Sequence, residues 1–139
     1  MTLTHKLSTS YSAPLAHLCI LLKAPETCIE AHESYQKQSF RNRMYIATSS
    51  GIQMLNIPIE HVKGQSIKDT KIAYREPWAR NHFRTLQTCY NSAPYFIYYC
   101  DEIENALNTN YKYLFDLNQH LLHIICKVIH VKVPETTSG

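Results

Sequence analysis

Apolar and polar positions alternate, then settle into a helical repeat, along this chain, and each rhythm predicts an element. His5–Tyr11 predicts a short strand ending in a Ser-rich turn. Pro14 suits the first turn of a helix, where its missing N–H is not needed. That helix runs to about Lys23, with Leu15, Leu18, Cys19 and Leu22 at helical spacing, and Pro25 ends it. Thr27–Ala31 has the length of a second strand, so strand, helix and strand form a βαβ-like unit with a parallel pair. Arg43–Thr48 and Ile52–Ile59 are the clearest strands, and Ser49-Ser50-Gly51 between them is turn chemistry, so they predict a hairpin. In the second strand apolar residues fall on both faces, which predicts two-sided burial near its end, where Pro58 marks an end or an edge. Lys63–Asp69 reads as a polar loop, and Lys71–Tyr74 as a short further strand.

The rhythm then changes to a helical one. Pro77 opens a helix whose stripe is Ala79, Phe83, Leu86 and Tyr90, broken at Asn91–Pro94. A second helix covers about Tyr95 to Leu107 and starts on the aromatic cluster Tyr95, Phe96, Tyr98 and Tyr99. A third, from Tyr111 to about Val131, aligns Leu114, Leu117, Leu121, Ile124, Ile125 and Val128 on one face. The expected fold is α/β: an N-terminal βαβ-like unit and a β-hairpin forming a small mixed sheet, followed by three helices. Residues 1–133 would form one domain and residues 134–139 a polar, frayed tail.

Composition narrows the class. A chain of 139 residues fits one domain, and an apolar share of 45% argues against wholesale disorder. Fourteen Lys and Arg against eleven Asp and Glu leave +3, which permits an anionic ligand without requiring one. The pI of about 8.6 is below the usual range of nucleic-acid-binding domains, so no nucleic-acid partner is expected. The cysteines Cys19, Cys28, Cys89, Cys100 and Cys126 are widely spaced without a CxxC pair, which fits buried thiols in a reducing compartment. No apolar run approaches the length of a membrane span, and Leu15–Leu22, interrupted by His17, lacks a signal cleavage site, so a cytoplasmic protein is expected.

The candidate chemistry concentrates in Glu30–Arg43. Two carboxylates, a His, a Tyr and three cations follow a predicted buried strand, and ligands of open α/β sheets bind just beyond strand carboxyl ends. Glu30 and His32 would stand at a pocket mouth. His32, with Glu30 or Glu33 to orient it, could act as a base. Arg41 and Arg43 could grip phosphate or carboxylate in a bidentate fork, and Lys37 could offset developing charge. The same residues also read as a solvated loop entering a hairpin. A second group is Trp78, Arg80, His82 and Arg84. Trp78 and His82 share a helix face and suit a packed Trp with a hydrogen-bonded His, or a helix N-terminus facing an anion that Glu76 would oppose. His120 and His123, three apart without a nearby carboxylate or Cys, make a poor metal site, and no metal or cofactor is expected. No P-loop, GxGxxG, HExxH or GxSxG pattern occurs.

The run His32-Glu33-Ser34-Tyr35-Gln36-Lys37-Gln38-Ser39-Phe40-Arg41-Asn42-Arg43, followed by Leu55-Asn56-Ile57-Pro58, resembles the WbqC-like proteins of bacteria, in the form common in Bacteroidetes. Ile67-Lys68-Asp69, the order Trp78, His82, Tyr90, Ser92-Ala93-Pro94-Tyr95-Phe96, and Leu114-Phe115-Asp116-Leu117-Asn118 extend the resemblance from about Leu7 to His130. It picks out Tyr11 and Pro14, then Lys37, Asn42 and Arg43, then Trp78 with His82. Many relatives carry a Gln-Pro step where this chain reads Ser8-Thr9-Ser10, and many continue well past the last helix. The family name derives from O-antigen gene clusters. The resemblance therefore implies a role in surface-polysaccharide biosynthesis, as an acyl- or aminoacyl-type transferase on a nucleotide-linked amino sugar or as a non-catalytic binding or assembly module. Glu30, His32 and Lys37 would be catalytic, and Tyr11, Tyr35, Arg41, Asn42, Arg43, Trp78 and His82 would bind the anionic small-molecule substrate.

Overall fold

The structure is a computed structural model, and it describes residues 5–12, 27–35, 39–60, 64–90 and 92–137. The helix expected from Pro14 and the candidate Lys37 lie outside the described residues. The α/β class expected from the sequence is the class observed, with three helices among the described residues. Strands β1 (His5–Ser8) and β2 (Thr27–Glu30) pair in parallel, His5 opposite Thr27 through Ser8 opposite Glu30. Their inward residues Leu7 and Ile29 are buried, as period-two alternation requires. Strands β3 (Arg43–Thr48) and β4 (Gly51–Asn56) form the expected antiparallel hairpin, with Tyr45 opposite Met54 and Ile46 opposite Gln53. Gly51 closes the turn at φ +122, a conformation that a side chain would strain.

Burial near the end of this run is one-sided: Leu55 and Ile57, two apart and so on one face, are in the core, Asn56 and Pro58 are half-buried, and Ile52 is 80% exposed at the hairpin tip. After β4 the chain forms β5 (Ile59–Glu60), a single 3-10 turn (Ile67–Asp69) capped by the Ser66 side chain, and β6 (Lys71–Ile72) antiparallel to β5. The strands thus divide among one parallel sheet and two antiparallel ribbons, not one small mixed sheet. The residues expected to fray include β7 (Glu135–Thr136), a third parallel strand beside β2. Backbone pairing and the Thr137 hydroxyl, which accepts from the Ala31 N–H at 2.9 Å, hold a sequence that is too polar to announce itself as a strand.

Helices α1 (Trp78–Tyr90), α2 (Pro94–Asn108) and α3 (Leu114–Ile129) follow, close to the expected spans. Pro94 occupies the first turn of α2, and α3 ends where His130 turns left-handed at φ 58, placing its N–H on the Cys126 carbonyl. Leu114, Leu117, Leu121 and Ile124 form the buried stripe of α3 and join Ile46, Leu55, Ile57, Ile67 and Trp78 in one apolar core. Cys28, Cys89, Cys100 and Cys126 are free thiols. No helix among the described residues is long and apolar enough to cross a membrane.

Candidate functional site

The polar segment after β2 is an alternating stretch. Ala31 is buried, His32 exposed, Glu33 half-buried, Ser34 exposed and Tyr35 half-buried. Its far end is held by antiparallel pairing with the 3-10 region: Tyr35 N–H donates to Gln65 and Ile67 N–H to Glu33. This alternation separates residues that the sequence groups together. Glu33 meets Arg41 in a bidentate pair, Arg41 Nε to Glu33 Oε1 at 2.9 Å and Nη2 to Oε2 at 2.8 Å. The Ser8 hydroxyl at the end of β1 accepts from Arg41 and donates to Glu33, both at 3.0 Å. The Arg41 guanidinium is therefore engaged by the fold through Nε and Nη2. Glu33 is its partner rather than a support for His32.

Glu30 and His32 form a separate, open corner. Glu30 Oε1 accepts from the His32 backbone N–H at 2.9 Å and from the Thr137 hydroxyl at 3.0 Å. These bonds, the backbone one first, hold its carboxyl below the usual carboxylate range, with help from Lys6. The His32 side chain is exposed.

Asn56, at the end of β4, is where the two sequence clusters meet. Its side-chain oxygen accepts from Asn42 Nδ2 at 3.2 Å and from Arg43 Nε at 3.4 Å. Asn42 also donates to the Ile57 carbonyl at 3.0 Å, and Asn118 on α3 donates to the Arg41 carbonyl at 2.8 Å. The backbone carbonyl of Asn56 accepts from the His82 ring. The other His82 nitrogen, Nδ1, then accepts from the Tyr11 hydroxyl at 2.9 Å. Desolvation drives His82 down to about 4, so the ring is neutral at pH 7, and burial raises the Tyr11 hydroxyl far above its ordinary value.

Trp78 packs edge-on against His82, with ring centroids 5.3 Å apart, and Tyr74 lies 5.9 Å from Trp78. Tyr11, Asn42, Trp78 and His82 are all buried, so the packed reading of Trp78 and His82 describes this geometry, and the four act as a frame. Beside this frame lie Arg43 and Tyr35, the latter packed against the core. Both are half-buried, and the Arg43 charge acts on the Tyr35 hydroxyl against the upward push of burial. The structure thus brings Tyr35, Arg41, Asn42 and Arg43 into one region and joins Tyr11, Trp78 and His82 to it through Asn56, but it leaves Glu30 and His32 apart. Asn56, Ser8 and Asn118 were absent from the sequence-derived candidates; Leu55-Asn56-Ile57-Pro58 was the one signal that pointed at Asn56. Among the described residues, no group of three or more His, Cys, Asp or Glu could hold a metal ion.

Comparison with known proteins decides the family. The profile of the WbqC-like protein family matches residues 11–138. This chain belongs to the WbqC-like family. A curated relative, "Uncharacterized protein Rv1507c" of Mycobacterium tuberculosis, is 35% identical over 101 residues, covering 70% of this chain and 43% of that protein. The chain thus spans less than half the length of that relative. No solved structure gives a significant match to this WbqC-like chain.

Proposed function

We propose that this WbqC-like protein recognises a nucleotide-linked amino sugar in the cytoplasmic biosynthesis of surface polysaccharide such as O-antigen. The observation that carries the reading is the Arg43–Asn56 contact: a cation held by an asparagine that is itself fixed by Asn42 and His82, with Tyr35 beside it. Such a guanidinium offers phosphate a donor set aimed before the ligand arrives, and the half-buried Tyr35 ring offers a surface for a sugar or base. Arg41 supports this by fixing the turn that carries Asn42 and Arg43.

Within this reading the chain acts as a binding module of the pathway. Both nitrogens of His82 are engaged, which leaves that ring without a free site for a proton. A transferase reading, moving an acyl or aminoacyl group to the sugar amine, rests on the exposed His32 beside the Glu30 carboxylate, with Lys37 as a further cation. Titration calorimetry with UDP-N-acetylglucosamine and a dTDP-linked amino sugar tests recognition. Arg43→Ala should weaken binding about tenfold, since a charge-assisted contact contributes roughly 1.5 kcal/mol. Absence of heat with every sugar nucleotide in the wild type removes the proposal. If Arg43→Ala binds normally while His32→Ala loses turnover at unchanged affinity, the transferase reading replaces the module.

A further inference from the structure

A second polar cleft lies away from Asn56, between the tip of the β3–β4 hairpin and the C-terminal half of α1. It is an open cleft of about 540 Å³, lined by Ser49, Ser50 and Gln53 from the hairpin and by Arg84 and Thr88 from α1, among others. That volume lies within the roughly 300–1,000 Å³ typical of small-molecule sites.

Two features give the cleft a chemistry. The hydroxyls of Thr48 and Thr85 on its wall are engaged, donating to the Gly51 and Asn81 carbonyls at 2.9 and 3.0 Å. The side chains of Ser49, Gln53, Arg84 and Thr88 have no hydrogen-bond partner among the described residues. The free set is therefore one guanidinium, one amide and hydroxyls, and no carboxylate lines the cleft among the described residues. An exposed guanidinium without a carboxylate in reach favours an anion, and an amide with hydroxyls matches the donors and acceptors of a sugar ring. A nucleic-acid surface would ask for several cations, whereas Arg84 is the one charged side chain of the described lining, and Ala47 and Cys89 leave room for the apolar face of a sugar ring.

We propose that this cleft is a binding site for an anionic sugar, with Arg84 holding the phosphate or carboxylate and Gln53, Ser49 and Thr88 facing the hydroxyls. The proposal is independent of the Arg43 site, because no residue is shared between them.

The test uses the full chain, isotope-labelled, titrated with N-acetylglucosamine 1-phosphate and, in parallel, with inorganic phosphate. Amide signals of Ser49, Ser50 and Thr88 and the Gln53 side-chain amide should move on adding the sugar phosphate. Arg84→Ala should weaken that binding about tenfold, and Thr88→Tyr, which fills the cleft, should abolish it; unchanged dispersion elsewhere in both spectra reports that they fold. Unchanged affinity in both variants overturns the site. So does equal affinity for phosphate alone, because the hydroxyl-facing half would then contribute nothing. Shifts confined to Tyr35, Arg43 and Asn56 also overturn it while leaving the Arg43 reading intact.

Discussion

The Glu33–Arg41 pair shows how one side-chain contact can decide what a cluster of charges is for. Both groups are largely withdrawn from solvent, with side chains 19% and 11% exposed, and the Ser8 hydroxyl completes the arrangement. Removing one partner strands the other charge, which costs far more than the pair contributes relative to an apolar replacement. Arg41→Met should therefore destabilise the fold by about 3 kcal/mol in urea denaturation, whereas Arg41→Met combined with Glu33→Gln should cost less than the single change. A double variant at least as unstable as Arg41→Met alone would count against an ionic role. His82 makes a second prediction at this scale. Its folded pKa is lowered to about 4 from 6.5 by burial, so the unfolded chain binds more protons between those values. Stability from this group is complete above pH 6.5 and is lost as pH falls toward 4. Between pH 7 and pH 5, above the carboxylate range, the wild type should lose about 1–2 kcal/mol that His82→Gln does not. Parallel pH profiles for the two proteins would contradict the assignment of a neutral buried ring. In the sequence, Glu33 and Arg41 were visible as charges eight residues apart, but their pairing depends on Ser8 at the end of another strand. Burial alternates along Ala31–Tyr35 in the structure, so His32 and Glu33 part company although they are adjacent in the sequence.

Elements with local causes were legible: the hairpin from its turn residues and strand runs, and α3 from its apolar stripe. Strand β7 was not, because Glu135-Thr136 has neither alternation nor apolar content. It exists because β2 offers an open edge and because Thr137 makes three hydrogen bonds there. The Thr137 N–H donates to the Ile29 carbonyl at 2.9 Å, and its hydroxyl accepts from Ala31 N–H while donating to Glu30. Thr137→Ala removes the side-chain half of this latch and leaves the Ala31 N–H without its partner. It should cost about 1 kcal/mol and raise the exchange rates of the Ala31 and Thr137 amides well above those of Leu7 and Ile29 in the same sheet. Uniform exchange across all four positions would mean that β7 is held by something other than this hydroxyl. The same change should ease the depressed Glu30 carboxyl back toward the ordinary range, since the Thr137 hydroxyl is one of the bonds holding it down.

Over the whole molecule, the parallel sheet, the hairpin and the helices converge on the residues around Arg41. Tyr11 N–H, just past β1, donates to the Phe40 carbonyl, Ile57 N–H past β4 donates to the Asn42 carbonyl, and Asn118 reaches from α3 to the Arg41 carbonyl. A polar residue in the middle of an apolar helical stripe reads from the sequence as an interruption. Here Asn118, 1% exposed, donates from α3 to the backbone of the turn that carries Arg43. Asn56 escaped notice for the same reason, since its partners Asn42, Arg43 and His82 come from elsewhere in the chain. If α3 positions the site through Asn118, then Asn118→Ala should lower stability by about 2 kcal/mol, because it leaves a buried carbonyl unpaired. It should also weaken sugar-nucleotide binding several-fold without touching the ligand. Leu121→Ala supplies the control: it lies one turn along α3, is buried as a side chain of similar importance to the core, and should cost about 2–4 kcal/mol. Under conditions where both variants remain folded, binding should fall in Asn118→Ala and hold in Leu121→Ala. Equal loss of affinity in the two would show that the helix supports the site only through general stability, and unchanged affinity in both would uncouple α3 from the Arg43 region altogether.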